Sequence, residues 1–169
     1  MIDKGTIQDL FHHLQWADAE VWAAVSKHAQ AAEDARVREY LAHIHTVQRA
    51  FLLIWQGQSL EGQFPEFAEL PPLKDWAREN FIEIDAYLDA LEEDALQRVV
   101  NLPWSAMIEQ RIGRPPESTT VAETALQVAT HSTYHRGQVN ARLRELGGEP
   151  PLVDYIAWLW LGRPSTKWS

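Results

Sequence analysis

The stretch from Thr120 to Pro151 constrains the fold more than any other, because it writes both ends of one long helix. Thr120 followed by Glu123 fits a capping box, and Gly147-Gly148 followed by Pro150-Pro151 fits a C-terminal stop, so a helix is predicted over about residues 121 to 146. The same helical period recurs upstream. Leu10, Leu14, Ala17, Val21 and Ala24 put an apolar stripe on a helix of roughly residues 6 to 28. Val37, Ile44, Val47, Phe51 and Trp55 form a second stripe that stops at Gly57, and Trp76, Phe81, Ile84, Leu88 and Leu91 form a third. The segment from Gly57 to Leu70 is turn-rich, ends before Pro71-Pro72, and is expected to connect rather than pack. A second long connection, Val99 to Glu117, is broken by Pro103, Gly113, Pro115 and Pro116, with room for a short extended pair around Val99-Val100 and Met107-Ile108. Tyr155 to Leu161 reads as a short extra C-terminal helix lying across the rest. Strand-rich alternatives lack the alternation they need. The expectation is an all-α four-helix bundle, one domain over residues 1–169, in an order that is not simply up and down.

Composition narrows the chemistry. Lys plus Arg 15 against Asp plus Glu 24 leaves a net charge of −9, which repels phosphate backbones and anionic lipid, and no basic patch offsets it; neither nucleic acid nor a membrane is expected as a partner. The chain has no Cys, so disulfides, thiol nucleophiles and thiolate metal sites are excluded. Metal chemistry falls to seven His and the carboxylates. No apolar run suits a signal peptide or a membrane span, and a cytoplasmic protein is expected. The eight Trp are read as core and groove walls.

His131 and His135 stand four apart on the predicted last helix, about 40° and about 6 Å apart, so both leave one face and can close on a single ion. A third ligand can come from His43 or His45 on the second helix, and rotation alone does not choose between them. Other signatures are missing. Ser132 stands where a His-Glu-x-x-His protease carries its general base, no Glu has a His three residues later, and neither a phosphate-binding glycine loop nor a nucleophile elbow is present. Arg136, rotated about 100° from His135, is expected to fix a neighbouring helix or a partner subunit, and Gly137 to permit close helix approach. Gln138 and Arg142, each about 20° from His131, are candidates to orient a ligand or hold a bound cofactor. His12, His13 and His28 are placed at the surface or edge, with His13 a further candidate for a fourth ligand.

The run Thr130-His131-Ser132-Thr133-Tyr134-His135-Arg136-Gly137-Gln138, continuing from Leu143-Arg144-Glu145-Leu146 through Gly147-Gly148-Glu149-Pro150-Pro151 to Asp154, resembles the last core helix and exit of the DinB family, the DinB/YfiT-like metalloenzymes. Leu10-Phe11 with Trp16-Ala17-Asp18, and Leu41-Ala42-His43-Ile44 with Gln48-Arg49, agree with it, so the resemblance runs through the whole chain. It implies a four-helix bundle holding one divalent ion by three His, here His43, His131 and His135, with His43 preferred because it fills the Leu-x-His-Ile slot. The chain departs from the family pattern at Asp18, where many relatives have Asn, and in carrying His45 beside the expected ligand. Zinc or nickel is the metal that the resemblance implies.

An open three-His site leaves coordination positions for water or substrate. Characterised relatives include transferases and isomerases that use mycothiol, bacillithiol or glutathione, so the resemblance implies a thiol-dependent S-transferase or isomerase, with a low-molecular-weight thiol as second cofactor and Arg142 pairing with a thiol carboxylate. The alternatives are a metal-dependent hydrolase and a non-catalytic metal-binding stress-response protein. No acidic residue stands out as a general base. A homodimer and a small-molecule substrate complete the expectation.

Overall fold

The structure is a computed structural model and describes residues 2–168. Its elements in order are α1 (Lys4–Lys27), α2 (Ala29–Glu33), α3 (Ala35–Trp55), α4 (Leu70–Ala90), a 3₁₀ turn (Glu93–Gln97), β1 (Val99–Val100), α5 (Ser105–Ile112), β2 (Thr119–Thr120), α6 (Val121–Glu145) and α7 (Tyr155–Trp160). The four long helices are those that the three apolar stripes and the two caps of the last helix predict.

Cross-links between helices fix their directions. Asp18 and Trp22 of α1 meet Gln48 and His45 of α3, so those two run antiparallel. Arg49 pairs with Glu83, and His45 lies against Phe81, which makes α3 and α4 parallel. Trp55 meets Thr124 at one end of α3 and Asp34 meets Arg142 at the other, so α6 opposes α3. The order is up, down, down, up. Consecutive parallel helices need a crossover, and the long segment from Gly57 to Glu69 supplies it.

The termini follow ordinary capping chemistry. Asp3 accepts from the Thr6 amide at 2.7 Å, and Asp34 accepts from the Val37 amide at 2.9 Å. Thr120 and Glu123 form the capping box, with the Glu123 carboxylate accepting from the Thr120 amide at 2.8 Å. At the far end Gly147 takes φ 85°, a conformation open to glycine at no steric cost, and the Gly148 amide donates to the Leu143 carbonyl at 2.9 Å. A Cβ on Gly148 would collide with the Leu143 side chain and crowd its carbonyl, so a second glycine gives room there.

Two large apolar clusters fill the bundle, one around Phe11, Leu52, Phe81 and Val128, the other around Trp22, Val37, Leu41 and Leu143, and a small third joins Trp16 and Ala17 to Trp158. Between the two large clusters lies a buried polar layer drawn from three helices. The Asp18 carboxylate accepts from Arg136 Nη1 at 2.6 Å and from Gln48 Nε2 at 2.9 Å; Gln48 Nε2 also reaches Ser132 Oγ at 3.1 Å. Gln48 Oε1 accepts from His45 Nδ1 at 2.8 Å, and Trp22 Nε1 donates to His45 Nε2 at 2.9 Å. All these polar side chains lie in residues that are at most 3% exposed, and each finds a partner, as buried polar groups must.

Three expectations need correction. Val99-Val100 does pair as a strand, but with Thr119-Thr120; Met107-Ile108 lies inside α5, because the turn residues bracket a short helix rather than a hairpin. The segment after Gly57 does pack: Phe67 lies 5.4 Å from Trp76, and Leu60 and Phe64 cover a cavity described below. A Cβ on Gly137 would meet nothing within 4 Å, so close helix approach is not its role. Among the described residues no helix is long and apolar enough to cross a membrane.

Candidate metal centre

The polar layer sets the register of α3 against α6, and that register decides which histidines meet. Ser132 and Arg136 point inward, so His131 and His135, each one residue earlier, turn about 100° toward the edge of the α3–α6 seam. On α3 the inward position belongs to His45, at 0% exposure, and His43 therefore stands at the same edge. His43 Nε2 lies 3.1 Å from His131 Nε2, and the His135 ring centroid lies 4.4 Å from that of His43 and 4.3 Å from that of His131. One ligating atom from each of the three falls within 4.8 Å of the others, and this is the group of His, Asp or Glu side chains among the described residues that could hold a metal ion.

The donor set fits such an ion. Two ligands about 2.0 Å from a tetrahedral ion sit about 3.3 Å apart, close to the observed separation of His43 and His131. His135 Nδ1 donates to Gln138 Oε1 at 2.6 Å, which fixes the tautomer and leaves the Nε2 lone pair free for an ion. Two of the imidazoles, His131 and His43, are also poised to be neutral. Burial first, then the neighbouring His135 and His43 rings, lower the His131 pKa to about 4, and burial with His135 lowers that of His43.

His45 is drawn elsewhere. Both its ring nitrogens are occupied inside the polar layer, and burial pushes its pKa down, so its role is to hold α1 to α3. His13 is neither at the surface nor near the three rings: it is 7% exposed and donates from Nε2 to the Val153 carbonyl at 2.9 Å. Arg136 does fix a neighbouring helix, through Asp18 of α1. Gln138 meets His135. Arg142 lies about 10 Å along the axis from His135 and is held by Asp34 at 2.7 Å and Glu145 at 2.9 Å, so its fork already has carboxylates. Neither Arg142 contact touches the three rings.

A cavity of about 800 Å³ opens beside His43 and His131. Its floor is written in helical turns: Val47 and Phe51 follow His43 at i+4 and i+8, and Gln127 and Glu123 precede His131 at i−4 and i−8. The two long connections supply the roof, Leu60 and Phe64 from the first and Leu102, Trp104 and Met107 from the second. Trp104 sits edge-on to Phe51 at 5.4 Å. Sequence reasoning missed this cavity, although the two i, i+4 ladders leading away from the histidines were a readable signal.

A helical bundle with three imidazoles converging at an open edge defines a small helical protein with a group that could hold a metal ion. The chain belongs to the DinB family, whose model matches residues 1–166. No curated protein and no solved structure matches it significantly.

Proposed function

We propose that the protein is a metal-dependent enzyme in which His43, His131 and His135 hold one divalent ion, zinc or nickel, and that its reaction is a thiol-dependent S-transfer or isomerisation. The observation that supports this reading most is the convergence of three imidazoles at the mouth of a large apolar cavity. A structural ion is normally enclosed by four protein ligands, whereas three leave a position for a reactant. A divalent ion held there supplies Lewis acidity and lowers the pKa of a coordinated thiol or water.

The chain's own residues prepare the site. Desolvation keeps His131 and His43 uncharged at neutral pH, so no proton competes for their lone pairs. Gln138 orients His135, and the Asp18–Arg136 pair holds the α6 turn that carries it. With no Cys in the chain, the sulfur nucleophile must come from a small molecule.

Cobalt-substituted protein titrated in turn with mycothiol, bacillithiol and glutathione tests the reading. A sulfur-to-cobalt charge-transfer band, with turnover of an electrophile by the thiol that produces it, is the expected result. Absence of the band at millimolar thiol, with no electrophile consumed, would replace the enzyme by a binding protein.

A further inference from the structure

We propose that the cavity beside His43 and His131 binds the second reactant as an uncharged, aromatic compound, with Val47 and Trp104 setting its size and fit. The inference rests on the reading above that the three imidazoles carry the reactive centre, and adds the chemical class of what lies next to it.

Volume comes first. About 800 Å³ lies in the upper part of the range of small-molecule sites, well beyond what a water or a small acid needs. The walls choose the chemistry. Phe51, Phe64 and Trp104 present rings from three different segments, and Val47, Leu60 and Met107 fill between them, which suits a flat apolar body stacked or set edge-on among aromatics.

Charge supplies the exclusion. No Lys or Arg is among the described residues lining the cavity, and its one carboxylate is that of Glu123. Away from the three-ring end, a carboxylate or phosphate held among these walls would lose water without meeting a Lys or Arg, beside the Glu123 carboxylate, in a chain of net charge −9. The polar groups on the floor are partly engaged already. Thr124 Oγ1 accepts from Trp55 Nε1 at 3.0 Å, and the Glu123 carboxylate caps α6 through Thr120. Thr46 and Gln127, each one turn from a histidine, are the polar side chains nearest in sequence to the three-ring end, placed to orient an uncharged polar substituent toward it.

The test uses one aromatic body in two charge states: naphthalene-2-methanol and 2-naphthoate, titrated by calorimetry into metal-free protein and observed by proton NMR with cobalt-loaded protein. The alcohol should bind at least ten-fold more tightly than the carboxylate. Val47→Trp, which fills the floor, should weaken the alcohol ten-fold or more, and Trp104→Ala, which removes one wall from an exposed connection, should weaken it about three-fold. Cobalt should broaden the bound alcohol's resonances beyond a zinc-loaded control. Equal or tighter binding of 2-naphthoate, or alcohol binding unchanged in both variants, overturns the proposal. The two readings fail separately: wild-type protein that takes up no cobalt but keeps the probe selectivity overturns the metal reading, whereas cobalt uptake without selectivity overturns this one.

Discussion

Gln138 positions His135 by direct contact, whereas Asp18 and Arg136 act through the packing of the helices. Asp18 and Arg136 are each 3% exposed at their side chains and 2.6 Å apart, so removing one partner strands a buried charge. Asp18→Ala is expected to cost about 3–5 kcal/mol in urea denaturation, with Asp18→Asn costing less because the amide oxygen still accepts from Arg136. His45 shows why two histidines two residues apart part company. Its Nε2 accepts from Trp22 and its Nδ1 donates to Gln48, a pattern that only the neutral ring satisfies. Burial lowers its folded-state pKa below the ordinary 6.5, as it does for His13 and, to about 4, for His131. The unfolded chain therefore binds protons that the folded chain refuses. Stability of the metal-free protein should be full above about pH 6.5 and fall as pH drops from there toward about 4, read as a declining urea midpoint. A midpoint that rises over that interval would contradict this assignment of neutral rings.

At the scale of elements, the boundaries of α6 were legible and are where they were read. Thr120→Ala removes the hydroxyl that accepts from the Glu123 amide and donates to the Glu123 carboxylate, leaves the bond from the residue-120 amide to that carboxylate in place, and should cost about 1 kcal/mol in stability. Thr120→Ser should retain most of it. Three apolar stripes also locate the other long helices, because a period of 3.6 residues is written in the chain itself. The connections were less legible. Pro103, Gly113 and the Pro115-Pro116 pair announce interruptions without saying that α5 forms between two of them, or that β1 pairs across it with β2. Packing of Leu60, Phe64 and Trp104 over the α3–α6 seam depends on long-range approach that no local pattern encodes. The metal group was half legible. His131 and His135 share a face by helical geometry alone. The choice between His43 and His45 turned on the rotation of α3 about its axis, which is set by Trp22, Gln48 and Asp18 across the bundle.

For the whole molecule, the account is of an up-down-down-up bundle whose polar middle layer aligns two helices so that three imidazoles meet beside an apolar cavity. An ion that binds only the folded chain stabilises it by mass action, so chelation at pH 7.5 should lower the melting temperature, and added zinc or nickel should restore it. Affinity for the ion should fall as pH drops from about 6.5 toward about 4, since a protonated imidazole cannot ligate and the His131 pKa is lowered to about 4. The most direct test of the central claim is metal content per chain, measured on untagged protein after equilibration with limiting zinc, for the wild type, His43→Ala, His131→Ala, His135→Ala and His45→Gln. One ion per chain in the wild type and in His45→Gln, with none retained in the other three, is the predicted result. Retention of the ion by His43→Ala together with its loss from folded His45→Gln would contradict it.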